Sequence, residues 1–483
     1  MMVRQGSGEK DFSGFFSSVD LAVERFRAIP KNENIRIISH LDADGISAAA
    51  VMIRALSREK RPYSISIIHN LDKNSAEVLM NEDHKHYIFT DLGSGQLDLV
   101  VRYLKGRDVF ILDHHRPGHG IRVPENITHV NPHLSGIDGT AGISGSGVVY
   151  FFARSMDRRN EDMAHIAIVG AIGDLQEHNG FDHLNDIILK DALKAGNISV
   201  FRGLRLFGVQ TKPLYKVLAN SMDPFIPGVT GSETDAIGFL RGLGIDPKKG
   251  SAWKKLVNLD RKEMKRLIGG IIMKRMSEDN PEDILGTIYV LPKEEKESPT
   301  RDAREFATLL NSCGRLGKAS LGIGTCLGDR KYLNKAIANM NSYRRELIVA
   351  MKWFEAQRKN KSGLVVEGDG FVIVNAQDNV MPTIVGTLAS MIAKSGFSRD
   401  TLVVAMAQQV DGNTKISMRR SFSSEKRDYD LKDLLDRSMR NLGGQSGGHM
   451  SAAGALIPSS KEQQFIRQVR SVLKEELMSE SVG

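Results

Sequence analysis

The sequence predicts an α/β protein: an N-terminal domain on a parallel sheet, a smaller C-terminal α/β domain, and a mostly helical insertion. Three observations predict it. Short apolar runs alternate with helical spacings over the first ~200 residues. Acidic and histidine residues stand where several of those runs end. A second strand–helix alternation closes the chain. With 483 residues, the chain exceeds what one hydrophobic core organises, since domains run about 100–200 residues.

Taken in order, Ile35–Ile38 is an apolar run that leads into the polar turn His40-Leu-Asp42-Ala-Asp44-Gly45. Gly45–Arg58 reads as a helix, with Ala48, Val51, Met52 and Leu56 at helical spacing. Ser64–Ile68, His86–Phe89 and Val109–Leu112 read as further strands, and Gly142–Arg154 and Met163–Ile172 as helices. Such alternation gives a parallel sheet, whose ligands sit beyond the carboxyl ends of the strands. From about 200 to 300 the pattern is less regular. Residues 223–231 are turn-rich, Trp253–Arg275 is a basic amphipathic helical region, and Glu294–Thr300 is a charged, Pro-containing loop that reads as a hinge. Arg330–Lys361 is a long helix dotted with Lys and Arg. In the last ~120 residues Phe371–Asn375, Leu402–Ala407 and Lys415–Met418 read as strands, with helices at Thr383–Lys394 and Tyr429–Met439. The expected domains are 1–200, 201–300 (the insertion), 301–362 (a connecting segment) and 363–483.

Composition narrows the class. A content of 41% hydrophobic and 26% charged residues is that of an ordinary soluble chain. The two cysteines, Cys313 and Cys326, make neither a disulfide framework nor a zinc spacing, so a reduced, cytoplasmic setting is expected. No signal-like apolar core stands at the N-terminus, and no stretch approaches the ~18 apolar residues of a membrane helix. The net charge of +8 suits a phosphate-rich partner but, spread over this length, equally fits a basic surface.

Four clusters fall at strand ends or on the helix after the sheet: His40-x-Asp42-x-Asp44, Asp91, Asp113-His114-His115 and Asp174. Taken singly, an Asp-x-Asp is more often a solvated turn or a helix cap than a ligand. Together they supply the hard carboxylate oxygens and few imidazoles that suit a pair of Mn²⁺ or Mg²⁺ ions. Two such ions about 3.5–4 Å apart serve displacement at phosphorus. Asp91, on a central strand, is the residue best placed to bridge them.

The order His-x-Asp-x-Asp-Gly, Asp, Asp-His-His, Gly-Asp resembles the four motifs of the DHH phosphoesterase superfamily, over about residues 35–178. The resemblance implies that Asp42, Asp44, Asp91, His114 and Asp174 are metal ligands, with His40 beside them. It implies that His115 faces the substrate phosphate and that Asp113 orients His114. In the pyrophosphatase branch the ligand histidine stands four residues before the first aspartate; here it stands two before Asp42.

The C-terminal segment Asn441-Leu-Gly-Gly-Gln-Ser-Gly447-Gly448-His449-Met-Ser-Ala-Ala-Gly454 reads as a glycine-rich loop whose N–H groups can approach a phosphate. It resembles, with Ile416-Ser417-Met-Arg419, the substrate-binding domain paired with DHH domains. That resemblance implies a cleft between the two domains, with phosphate contacts from Ser417, Arg419, Gly447, Gly448 and His449. Phe306-Ala-Thr-Leu-Leu-Asn311-Ser-Cys-Gly-Arg315 resembles an element of RecJ nucleases, in which Asn311 and Arg315 would meet backbone phosphates. On its residues alone it is equally a helix that ends near a glycine, with Arg315 favourably placed at the helix dipole. Gly-Ala-Ile-Gly-Asp174-Leu-Gln-Glu and the long insertion resemble the archaeal members, nucleases that associate with the GINS complex.

The function this implies is a two-metal exonuclease that shortens single-stranded DNA or RNA to mononucleotides. Two alternatives stay open: a phosphodiesterase for oligoribonucleotides or cyclic dinucleotides, and a replication scaffold that binds GINS.

Overall fold

The computed structural model describes residues 11–118, 120–177, 180–221, 224–278, 280–394, 401–421, 430–449 and 452–479 and, of residues 445, 449, 478 and 479, the backbone only. The chain forms two compact units, residues 1–340 and 341–483.

The first unit begins with α1 (Ser13–Ala28), followed by β1 (Ile35–His40), α2 (Ala43–Arg58), β2 (Tyr63–Ile68), α3 (Lys73–Met80), β3 (His86–Thr90), α4 (Leu97–Tyr103), β4 (Asp108–Leu112) and β5 (Ile127–Val130). The five strands form one parallel sheet in the order β2-β1-β3-β4-β5. Because both faces of the inner strands β1, β3 and β4 are covered, those strands read as largely apolar runs, whereas the edge strand β2 is only half-buried. Alternation still sorts their side chains. Ile35, Ile37, Ile88, Phe110 and Leu112 enter the core beneath α1 and α2, whereas Ile38, Tyr87, Phe89, Val109 and Ile111 pack on the opposite face with Leu79, Leu97 and Val100 of α3 and α4.

Strand order reverses at β1, with β2 on one side and β3 on the other, which opens a crevice at their carboxyl ends. Three helices close the first core: α5 (Gly145–Met156), α6 (Ala164–Gly173) and α7 (His183–Lys194). Helix α5 starts three residues later than the spacing alone predicts, because Ser144 caps it by accepting the Gly147 N–H at 3.2 Å. Helix α6, AHIAIVGAIG, is apolar on every side because it is enclosed by α2, α5, α7 and a later helix.

The insertion opens and closes on an antiparallel ribbon, β6 (Ser199–Leu204) with a later strand β9 (Leu285–Val290). Between them stand α8 (Leu214–Ala219), α9 (Glu233–Gly242), β7 (Lys248–Lys249), β8 (Ala252–Trp253) and α10 (Arg261–Lys274), around a core of their own that includes Leu218, Ile226, Leu240, Leu267 and Ile271. The helix expected from Trp253 therefore begins only at Arg261, where Asp260 caps it. The 294–300 loop, expected as a hinge, is tied down: Glu297 takes Lys255 at 2.7 Å and Asn258 at 2.9 Å. Then come α11 (Ala303–Arg315), α12 (Ala319–Cys326) and α13 (Arg330–Asn360), and the division between the units falls inside α13.

The second unit continues with β10 (Val365–Gly368), β11 (Phe371–Asn375), α14 (Val385–Lys394), β12 (Leu402–Gln408), β13 (Asn413–Arg420), α15 (Leu431–Ser438), β14 (Gln445–His449), β15 (Ala452–Pro458) and α16 (Glu462–Ser479). Its mixed sheet runs β10-β11-β12-β13-β15-β14. The glycine-rich stretch expected as a loop is thus an edge strand, paired antiparallel with β15 from Gln445↔Leu456 to His449↔Ala452. Glycine is required there by φ +128° at Gly448, where a Cβ would come within 2.7 Å of Ala453 Cα.

Candidate metal centre

The turn after β1 is built by its own residues. Asp42 caps α2 through Oδ1, which accepts the Gly45 N–H at 3.0 Å, and Oδ2 is left to face His40 Nδ1 at 2.9 Å. Gly45 is obligatory, since a Cβ there would sit 2.6 Å from the His40 carbonyl carbon. Asp44, fully buried, turns toward the amino end of α5. Its Oδ2 accepts the Gly145 N–H at 2.6 Å, and its Oδ1 accepts the Ser146 N–H at 3.0 Å and the Ser146 hydroxyl. Helix N–H groups there both hold the carboxylate and favour its charge.

Asp91 follows β3 with φ +60°, a left-handed conformation that Asp tolerates better than most residues. It is 1% exposed, and neither of its carboxylate oxygens has a hydrogen-bond partner. One oxygen lies 3.5 Å from His40 Nδ1; the other lies 3.4 Å from His114 Nε2. Asp174, the residue that ends α6, places a carboxylate oxygen 3.3 Å from His114 Nε2. Three groups of candidate ligand atoms result among the described residues: His40, Asp42 and Asp91; Asp44, His114 and Asp174; and Asp91, Asp113, His114 and His115. Asp91 reaches both of the first two.

His114 is oriented by the Gly139 carbonyl, which accepts from Nδ1 at 2.7 Å and also takes the Gln176 amide at 3.0 Å, so the Nε2 lone pair points into the cluster. Asp113 acts on a different histidine from the one expected. Its carboxylate accepts the Ser94, His114 and His115 backbone N–H groups at 2.9, 2.8 and 3.2 Å and the His115 ring Nδ1 at 2.7 Å. The His114 ring takes Gly139 as its Nδ1 partner instead, and Asp113 also lies within ligand distance of Asp91, His114 and His115. The His115 side chain is half-exposed.

Charge follows this geometry. Burial pushes the Asp44 carboxyl up to about 7, and the Asp91 carboxylate adds to the effect. Burial and then the Asp44 charge raise Asp174 well above the carboxylate range. For His40 and His114 burial pulls downward, but the surrounding carboxylates outweigh it and hold both well above ordinary histidine. For Asp42 and Asp113 burial pulls upward, and the neighbouring His40 and His115 respectively outweigh it. Two buried carboxylates (Asp44 and Asp91) and two half-buried ones (Asp42 and Asp174), meeting at unpartnered His40 Nδ1, His114 Nε2 and both Asp91 oxygens, make a donor set that fits divalent cations.

The residues expected to grip phosphate fall differently. Asn311 Oδ1 accepts the Ala43 N–H at 3.0 Å and so belongs to the support of the Asp42–Asp44 turn. Arg315 is half-buried in the last turn of α11. In the second unit Ser417 and Arg419 share one face of β13 beside Gly386, where a Cβ would lie 3.2 Å from both side chains. Arg419 donates to Ser390 Oγ at 3.2 Å and to the Met418 and Ala453 carbonyls at 2.8 and 3.3 Å. Gly447 and Gly448 are exposed on β14, and the His449 side chain lies outside the described residues. Sequence reasoning missed Ser146, Gly145, Gly139 and Asn131, whose amide joins Ser94 Oγ to the His115 carbonyl at 2.8 Å each. The Gly-Ile-Ser-Gly-Ser-Gly run at 142–147 is a helix-start signal that could have found the first two; nothing local marks Asn131.

A crevice at the switch point of a parallel sheet, lined by a carboxylate–imidazole cluster divided about one shared aspartate, defines the class: a metal-dependent phosphoesterase with a divalent-metal site. Comparison with known proteins supplies the family. The DHH family N-terminal domain matches residues 34–173, the DHH-CID domain 206–288 and the DHHA1 domain 369–475. The chain belongs to the DHH phosphoesterase superfamily. It is 29% identical over 448 residues to the uncharacterized protein MJ0831 of Methanocaldococcus jannaschii, covering 92% of this chain and 94% of that one. It is 27% identical over 191 residues to the single-stranded-DNA-specific exonuclease RecJ of Thermus thermophilus, covering 37% of this chain and 28% of that one. The crystal structure of RecJ with Mn²⁺ from Thermus thermophilus shares the fold at TM-score 0.57 and 18% identity, over 97% of this chain and 55% of that one. The chain thus spans about half the length of that RecJ. No helix among the described residues is long and apolar enough to cross a membrane.

Proposed function

We propose that the protein is an exonuclease that hydrolyses single-stranded DNA or RNA from one end to mononucleotides, in replication, repair or RNA turnover. The observation that carries the chemistry is Asp91, a buried carboxylate with two unpartnered oxygens directed at two separate ligand groups. Two Mn²⁺ or Mg²⁺ ions held by His40, Asp42, Asp44, Asp91, His114 and Asp174 would supply an activated water and charge neutralisation at phosphorus. The protein does the rest. The Gly139 carbonyl and Asp113 hold the two imidazoles in fixed tautomers, and His115 Nε2, on the exposed side, donates to a phosphoryl oxygen. Within the second unit, Arg419 and Ser417 are a pair of the kind that binds phosphate. The single-strand assignment is supported by the 191-residue match to RecJ. The insertion, with its own apolar core and exposed Phe225, Met273 and Met276, is the segment we assign to a replication partner of the GINS type.

The test is a time course with Mn²⁺ on single-stranded DNA and RNA oligomers of one sequence, labelled at either end. Immediate release of a labelled mononucleotide from one end only is the expected result and fixes polarity and sugar preference. Turnover of dinucleotides with intact oligomers would replace it by the small-substrate phosphodiesterase reading.

A further inference from the structure

We infer that Asn311 is a positioning residue for the metal-ligand turn, and that α11 is a strut joining that turn to the insertion. The inference rests on the metal-dependent phosphoesterase assignment, not on the exonuclease reading. The Ala43 N–H lies in the first turn of α2, where helix N–H groups lack intrahelical partners. Asp42 caps only Gly45, so Ala43 must find an acceptor elsewhere, and Asn311 Oδ1 supplies it at 3.0 Å from 268 residues away. Ala43 is flanked by Asp42 and Asp44, one from each of the two groups that Asp91 reaches, and one hydrogen bond therefore sets the height of both carboxylates. Three residues on, Gly314 lies against the Leu41 carbonyl: a Cβ there would overlap its oxygen and stand 2.7 Å from its carbon. Only glycine lets α11 come that close.

The other end of α11 is held by the insertion. Glu305 is 2% exposed, and its two oxygens accept the Gln210 N–H at 2.7 Å and the Thr211 hydroxyl at 2.5 Å. Beside it Arg304 meets Glu177 at 3.1 Å, three residues beyond Asp174. From Glu305 to Asn311 is about 9 Å of helix at 1.5 Å per residue. A rigid element of that length carries a displacement of the insertion to the Asp42–Asp44 turn.

The test measures Mn²⁺ affinity by isothermal titration without substrate, beside kcat and KM. Asn311→Ala removes the acceptor and is expected to weaken Mn²⁺ binding by about tenfold or more, the effect of losing a group that orients ligands. Asn311→Asp keeps the acceptor and is expected to restore near-wild-type affinity, and Thr211→Val is expected to weaken it in the same direction by a smaller factor. Should Asn311→Ala fail to fold, Asn311→Gln serves: one methylene longer, it displaces the turn and loses affinity where Asp does not. A raised KM for nucleic acid in Asn311→Ala with Mn²⁺ affinity unchanged would make Asn311 a phosphate contact and overturn the inference. So would weakened binding in Asn311→Asp equal to that in Ala. Wild-type protein that binds no Mn²⁺ would instead remove the metal-site assignment on which both readings stand.

Discussion

Asp91→Asn changes one atom of a side chain that is 1% exposed, and its main consequence is expected when metal is present. Without metal, the Asp91 carboxylate raises the neighbouring Asp44 carboxyl, which is unfavourable, but also holds His40 and His114 up, which is favourable. These effects oppose one another, so the variant in EDTA should melt close to wild type. With metal, the shared ligand is gone. Each ion at a hundredfold its dissociation constant stabilises the wild type by about 2.7 kcal/mol, so two ions should raise its melting temperature by on the order of 10 °C. In Asp91→Asn that rise should largely vanish, and turnover should fall about 10³-fold, the equivalent of roughly 4 kcal/mol in the barrier. Thermal melts in EDTA and in Mn²⁺, with turnover measured alongside, read all three. A variant that Mn²⁺ stabilises as it does wild type, or whose turnover stays within tenfold, would show that Asp91 does not join two metals.

Three further outcomes follow from the same site. Because the folded-state values of Asp44, Asp174, His40 and His114 are all raised, their contribution to metal-free stability is present below their unfolded values and is lost as pH rises through about 7 and above. Metal must displace those protons, so the stabilisation by Mn²⁺ should grow between pH 6 and 8.5; a flat increment across a pH series of melts would contradict this. Asp113→Asn should lower kcat by about 10²–10³-fold while Mn²⁺ affinity by calorimetry changes little, because Asp113 bonds the His115 ring. Gly145→Ala would put a Cβ 2.7 Å from the Asp91 Cβ, displacing the shared carboxylate. Mn²⁺ binding should be lost at a stability cost of about 1–3 kcal/mol, checked by calorimetry and denaturant melts.

The parallel sheet was legible because strands covered on both faces are largely apolar, as Val109–Leu112 is throughout and Ile35–Ile38 is but for Arg36. The ligand set was legible because acidic and imidazole groups at the carboxyl ends of such strands converge on one crevice whatever the loops do. The second-unit strands Phe371–Asn375 and Leu402–Gln408 were visible for the same reason. The glycine-rich edge strand was not, since glycine weakens a strand locally and only its pairing with Ala452–Leu456 makes it one. The ribbon joining Ser199–Leu204 to Leu285–Val290 escaped likewise, its partners lying about a domain apart in sequence.

What the sequence by itself determined is which acidic and imidazole residues stand at the ends of the strands of one sheet and of the helix that follows it, because side-chain periodicity and residue type are local properties. What only the tertiary structure decided is the division of labour among them. Asp91 stands between the two ligand groups on a left-handed backbone, against the bare Cα of Gly145; Asp113 bonds the His115 ring because four donors converge on it; Asn311 bonds Ala43 because α11 is packed against the turn. Each of these is a contact between segments far apart in the chain, and such contacts are set by how the whole core packs, which no local window of residues encodes.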